Sequence, residues 1–385
     1  MHGKETTSPA AAFRDWTMNQ ALPLWASEGY DDASQLFEEQ LTFAGEPVRT
    51  VPRRVMVQAR QISVYSLAAR RGWFDSSDLA LETGSSMIEH YWAADGRPGW
   101  VFSLNRDGTV HDGKRDLYAH AFVLFALAGL LKLEPGESRL LRAVEETVAV
   151  LDTAFADPRH GGFWDCLPRP DALRRQNPHM HLLEAWLELF EATGETRYLA
   201  RADALVGLAR AHFVDPASGA LREFYHDDWS VYPSAGEGAV EPGHQLEWAW
   251  LLRRYRSLGG EQDLPVEALV TSALRHGVDP VSGRILDEVG EDGVALNRSS
   301  RSWPYCEAIK SLSVESAMGT ADHHQLIDAL WLRLSNSYCL PELGGGWIDR
   351  LDDADEPLSG VMPASTLYHL MFALSEWERS VDGST

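Results

Sequence analysis

Cysteine is scarce in this 385-residue chain: Cys166, Cys306 and Cys339 are too few and too far apart for a disulfide framework, and no CxxC pair is available to hold zinc. A reducing compartment is expected. Positive charge is also short, with 34 Lys and Arg against 57 Asp and Glu and a formal net charge of −23. Most of the surface therefore repels a phosphate backbone or an anionic leaflet, so neither nucleic acid nor a membrane is an expected partner. The most apolar run, Ala121 to Leu131, is too short to cross a bilayer, and MHGKETTSPAAAFRDW at the start carries no apolar core behind a basic stretch. The expected location is the cytoplasm. No GxSxG or HExxH occurs, and Gly344-Gly345-Gly346 lacks the Lys-Ser/Thr of a phosphate loop. Alternating strands are nearly missing too; Gly99–Phe102 and Gly162–Trp164 read as short loop ribbons.

Amphipathic helices are abundant. Leu182, Ala185, Trp186, Leu189 and Phe190 form one stripe between His181 and Thr193, Gly194 interrupts it, and Thr196 opens a second helix ending near Phe213. Similar patterns cover 54–71, 117–133, 137–155, 243–258, 304–317 and 365–377. Turn-like clusters recur between them, at Gly99-Trp100, Asp157-Pro158 to Phe163, Asp215-Pro216 to Leu221, Asp279-Pro280 to Ile285, and Gly344 to Trp347. The apolar residue after each glycine returns every 58 to 64 positions. That period is too long for the common helical solenoids and fits two helices of ~15 residues plus a long loop. Six such hairpins fill the chain, and closing them into a ring removes the need for end caps. The expected fold is all-α, an (α/α)6 barrel, in a single domain spanning 13–385 behind a loose tail of residues 1–12.

One polar residue per hairpin then falls in register: Arg60, His120, His181, His244, Glu307 and His369, spaced 60 to 63 apart. In a closed ring these would point at one axis. His181-Leu182-Leu183-Glu184 and His244-Gln245-Leu246-Glu247 repeat the same His-x-x-Glu one period apart. Individually, each has a plainer reading: His120 as a hydrogen-bonded core residue, Arg60 as half of a salt bridge, Glu307 as a surface charge. Three histidines at a ring centre could also meet Zn²⁺ or Mn²⁺, but without HExxH or an Asp-rich cage no metal is expected.

Six stretches, VQARQISVYSLAARRGW, DLYAHAFVLFALAG, NPHMHLLEAWLELFEATGE, EPGHQLEWAWLL, RSWPYCEAIKSL and MPASTLYHLMFAL, together resemble the N-acylglucosamine 2-epimerase superfamily over about residues 14–377. The resemblance implies the same barrel and a cofactor-free acid/base isomerase of reducing sugars. It puts the acid/base pair at His244 and His369, with His181 near the sugar's carbonyl end and assisting ring opening. Arg60 would hold the reacting oxygens, and Asn177, Glu247 and Trp303, with Tyr118, His120 and Glu307, would contact the sugar. The plainer role for Trp303 is core packing. Arg60-Gln61-Ile62-Ser63 departs from the Arg-x-Leu-Trp of members acting on disaccharides, and EPGHQLEWAWLL and PASTLYHL look closest to the mannose isomerases. A monosaccharide is the expected partner, converted between D-mannose and D-fructose through a cis-enediol(ate). 2-Epimerisation and, from another class, glycoside hydrolysis by paired carboxylates or a non-catalytic scaffold are the alternatives. Phosphorylated sugars are disfavoured, because no basic cluster beyond Arg60 stands near the motifs. A homo-oligomer is left open.

Overall fold

The computed structural model describes residues 8–169, 173–215, 218–232, 239–279 and 281–383. Helices come in pairs: α3 (Val55–Arg71) and α4 (Ser77–Tyr91), α5 (Leu117–Leu133) and α6 (Ser138–Val150), α7 (Asn177–Thr193) and α8 (Thr196–Leu208), α9 (Pro242–Ser257) and α10 (Val266–Gly277), α11 (Trp303–Ala317) and α12 (His324–Arg333). Two short helices, α1 (Pro9–Trp16) and α2 (Leu22–Ser27), precede them and α13 (Leu367–Val381) follows. The first helix of each pair packs on the next such helix, and α13 returns to pack against α3, so the inner ring closes. Burial separates the two layers. Helix α5 is buried on all sides from Ala119 to Leu131, as an inner helix must be, whereas α6 buries one face through Leu140, Ala143, Val144, Thr147 and Val148. The architecture is an (α/α)6 barrel.

The sixth pair differs from the expected succession of hairpins. Its inner helix is α13, and its outer position is taken by the N-terminal helix, where Ala10 and Phe13 are buried. The Phe13 ring lies 4.6 Å from Trp331 of α12, and Arg14 Nε lies 2.8 Å from Glu378 of α13. The loose tail thus ends earlier than residue 12: Ser8 caps the helix through its side chain and Pro9 starts it, where proline's missing N–H costs nothing. Residues 1–7 lie outside the described residues.

The recurring turns prove to be one device used repeatedly. Trp100, Phe163, Leu221 and Ile285 each form an antiparallel bridge back to Trp92, Ala156, Val214 and Val278, at the ends of the outer helices. Asp157, Asp215 and Asp279 fold their turns by accepting backbone N–H groups two or three residues on. Pro216 and Pro280 of these clusters lie outside the described residues.

A second ring, of strand pairs two or three residues long, surrounds the barrel mouth. The residues just before each inner helix pair with the loop before the next. Arg53–Arg54 join Ser103–Leu104, Arg115–Asp116 join Cys166–Leu167, and Arg174–Arg175 join Phe224–Tyr225. Val240 bridges Val289, Ser300–Arg301 join Arg350–Leu351, and Val361–Pro363 return to Gln40–Thr42. This girdle fixes where each inner helix begins.

Phe13→Ala should cost about 3–5 kcal/mol of stability, as emptying a buried aromatic site does. Urea unfolding measures it; a change below ~0.5 kcal/mol, typical of exposed positions, would return this segment to the status of a tail.

Candidate active site

The first turns of the six inner helices face one cavity of about 410 Å³ at the girdled end, to which they contribute Met56, Tyr118, Asn177, His244, Trp303 and His369, among others. Pro178, Pro242 and Pro304 sit in the first turns of α7, α9 and α11, where no backbone N–H is needed. Helix N-termini carry partial positive charge, so the arrangement favours an oxyanion in the cavity.

Three buried histidines are each held at Nδ1 by a carboxylate. His244 meets Glu223 Oε1 at 3.0 Å, His369 meets Glu307 Oε1 at 2.7 Å, and His181 meets Glu184 Oε2 at 3.2 Å. Each pairing leaves Nε2 for the cavity and sets the tautomer. Their charge states nevertheless diverge. Burial pushes the His244 imidazole down, but Glu223 at hydrogen-bond distance and Glu241 at 3.7 Å raise it to about 9. Burial, reinforced by the positive charges of Arg60 and Lys310, holds His369 well below the ordinary histidine value. His181 is likewise depressed by burial, to about 4, despite Glu184. At neutral pH His244 is an imidazolium, while His369 and His181 are neutral. An imidazolium needs an acceptor at Nε2, and the Asn177 side-chain amide, 3.2 Å away, supplies it when turned with Oδ1 toward the ring.

Trp303 stands between His244 and His369, its ring 5.1 Å from that of the first and 5.5 Å from that of the second. Gly243 permits this approach, because a Cβ there would come within 2.5 Å of the indole. Arg60 donates to Tyr118 Oη at 2.5 Å and to the Ser365 carbonyl at 3.2 Å, over the Phe122 ring at 4.1 Å. Glu247 faces the cavity with neither carboxyl oxygen hydrogen-bonded; burial, with Glu307 and Glu184 nearby, pushes its pKa well up, so it is a neutral acid able to give and accept hydrogen bonds.

The structure brings His181, His244, His369, Arg60, Asn177, Glu247, Trp303 and Tyr118 into the wall of this cavity. His120 and Glu307 stand elsewhere. His120 is fully buried, accepting the Trp100 N–H at Nε2 (3.2 Å) and meeting the Asp116 carbonyl through Nδ1 (2.7 Å). His179 does the same for Phe163 and Arg175. The residue of α5 in register with Arg60 and His181 is therefore Phe122, two positions beyond His120. Glu307 is fully buried behind His369 and touches it rather than the cavity. Sequence reasoning missed Glu223, which lies in a loop and is fixed by Gln176 and, through it, Trp248. It also missed Arg54, Glu241, Arg301 and Asp349 in the cavity wall; the only signal was their place just before or between inner helices.

Three sets of donor atoms lie close enough to suggest a metal: His181, Glu184 and Glu247; Glu223, Glu241 and His244; and Glu247, Glu307 and His369. In each, the imidazole Nδ1 is already committed to one of the carboxylates. In the third, the Lys310 ammonium, 2.7 Å from Glu307, occupies the place a cation would take. The donor sets are those of oriented imidazoles.

Carboxylate-held imidazoles in different charge states around an aromatic wall, in a ring of helices, fit an enzyme of the kind that isomerises or epimerises sugars. The chain belongs to the N-acylglucosamine 2-epimerase (GlcNAc 2-epimerase) family, whose model matches residues 36–373. It is 32% identical over 387 residues to the mannose-6-phosphate isomerase of Rhizobium meliloti, with 98% of each chain covered. It is 28% identical to the D-mannose isomerase of Thermobifida fusca, covering 91% of this chain and 90% of that one. A solved D-mannose isomerase superposes with a TM-score of 0.86 over 96% of this chain and 98% of the other, at 23% identity, and so shares the fold.

His120→Leu should lower stability by about 1–3 kcal/mol, the cost of leaving the Trp100 N–H buried and unpaired. Turnover per folded molecule should be kept. A raised KM with unchanged stability would instead make His120 a sugar contact.

Proposed function

We propose that this enzyme interconverts D-mannose and D-fructose without a metal or cofactor, by proton transfer between side chains and an enediol(ate). The observation that carries this reading is the pair His244 and His369 on either side of Trp303, each held at Nδ1 by a carboxylate, the first charged and the second neutral. His181, neutral, takes the anomeric hydroxyl proton as the C1–O5 bond of the pyranose breaks and returns that proton to the departing ring oxygen, leaving the open-chain aldehyde and a neutral imidazole. His369 Nε2 then removes the proton from carbon 2, and the C–H electron pair forms the double bond to carbon 1. Negative charge lands on oxygen, where the Arg60 guanidinium and the helix N-termini stabilise it. A proton passes from O2 to O1, and the His244 imidazolium protonates carbon 1, leaving the ketone at carbon 2. Trp303 offers a flat apolar wall to the sugar's C–H face, and Glu247 and Asn177 meet its hydroxyls. The relatives named mannose isomerases support mannose over a disaccharide, as does the absent Arg-x-Leu-Trp pattern.

One observation favours a phosphorylated form of the same sugar. Arg54 and Arg301 lie in the cavity wall, a basic pair beyond Arg60, and one relative is named for mannose 6-phosphate. Against this, both arginines are already paired, Arg54 with Glu39 and Arg301 with Asp287 and Glu241.

With chelator present, activity should fall as pH rises through about 9, where His244 loses its proton, and on the acid side only below the ordinary histidine range, where His369 gains one. His244→Asn and His369→Asn should each lower turnover by ~10² or more. In D₂O, loss of His369 should also abolish washout of the carbon 2 hydrogen, and loss of His244 should spare it. Folded variants with full turnover, or activity that vanishes with chelator, would refute the mechanism.

Arg301→Met decides the substrate form. If phosphate is bound there, KM for mannose 6-phosphate should rise about tenfold or more while that for mannose holds; equal changes for both would assign the free sugar.

A further inference from the structure

Beneath the cavity, Lys310 is fully buried on α11 and is absent from the cavity wall. A charge so far from water needs compensation. Its Nζ lies 2.7 Å from Glu307 Oε2 and 3.6 Å from the centre of the Trp250 ring on α9. Neither Lys310 Nζ nor Glu307 Oε2 has an aligned hydrogen bond, so the attraction between them is one of charge. Against burial, Glu307 and Glu184 of α7 hold the ammonium protonated, Glu247 of α9 also faces it, and His369 of α13 feels its positive charge together with that of Arg60 from α3. Tyr368 of α13 donates to Glu184, and His181 of α7 pairs with the same carboxylate. The second oxygen of Glu307, Oε1, accepts from His369 Nδ1 at 2.7 Å. Lys310, Glu307 and His369 thus form one line from the buried floor to the reacting face.

We propose that Lys310 is a positioning residue: its ammonium holds Glu307 as the carboxylate that fixes the His369 proton on Nδ1 and leaves Nε2 bare for the substrate. Without Lys310, Glu307 becomes a buried carboxylate with no counter-charge beside an imidazole. It then either draws a proton onto His369, or takes one itself and donates it to Nδ1, which moves the ring proton to Nε2. Both outcomes cover the nitrogen that must act as base. The inference rests on the acid/base reading of His369 given above, and the two can fail separately.

The experiment is nitrogen-15 NMR of the histidine imidazoles, with His369→Asn for assignment, beside pH–rate profiles of the same proteins. In the wild type, His369 should be neutral with its proton on Nδ1 from pH 6 to 8. In Lys310→Met, and in Lys310→Gln as a second variant, it should take up a proton in that range or carry its proton on Nε2. Turnover of those variants at neutral pH should fall by ~10-fold or more, and where the ring has become an imidazolium it should recover at higher pH, the acid limb having moved up by about one unit. KM should change little, since Lys310 does not line the cavity. Glu307→Gln, whose amide donates to Nδ1, should lose activity, and adding Lys310→Met to it should cause little further loss. A folded Lys310 variant with an unchanged His369 tautomer, titration and acid limb would overturn the proposal. If neither variant folds, the wild-type spectrum still decides: a His369 proton on Nε2 overturns it. Should no sugar be turned over, the functional reading falls while the tautomer measurement continues to test Lys310.

Discussion

Removal of water from the ring axis is the constraint on which the rest of this structure depends. Burial penalises every charge, so each ionisable group there keeps its charge only if a neighbour compensates for it. Two histidines on equivalent turns respond in opposite ways. His244 has Glu223 and Glu241 at hand and stays protonated, whereas His369 shares Glu307 with Lys310 and lies near Arg60, and is neutral. Glu247, with neither oxygen hydrogen-bonded, resolves the same penalty by holding a proton. One residue type thus takes two charge states, each assigned by its surroundings.

The −23 net charge of the chain and the partial positive charge of the helix N-termini at the mouth are compatible because they act at different ranges. Surface carboxylates are screened within a Debye length. Inside the cavity, the nearest electrostatics are six helix N-termini and the charged side chains of the wall, Arg54, Arg60 and Arg301 among acidic groups, which no sum over the sequence reveals. The girdle of short strand pairs ties down the start of each inner helix, so the scaffold and that local field share a cause.

Much of this was legible before any coordinates, because a repeat of about sixty residues writes itself into spacing. The helix stripes and the returning glycine turns located the barrel, while the in-register polar series and the family resemblance together located about half of the cavity wall. Register failed at two points: Glu307 lies behind His369 and not in the wall, and His120 and Phe122 lie two positions apart on a largely apolar helix, where only the hydrogen bond from Trp100 shows which of them is structural. Glu223 was hidden because a carboxylate that orients a histidine from a loop has no fixed spacing from it. The girdle was invisible because pairs of two residues have no period to detect. The helix at Pro9 was mistaken for a tail, since PAAAFRDW is short and its apolar face is satisfied only by residues over three hundred positions away, Trp331 and the turns of α13.

That last pairing gives the ring an order of assembly. Ribosomes deliver a chain from its N-terminus, so Arg60 emerges early and His369 only after five helix pairs have been made. Until α13 arrives, the N-terminal helix has no inner neighbour, the strand at Gln40–Thr42 has no partner in Val361–Pro363, and His369 is absent from the cavity wall. Chain closure and the completion of the cavity are one event. A nascent or prematurely terminated chain is therefore both unsealed and without a finished site.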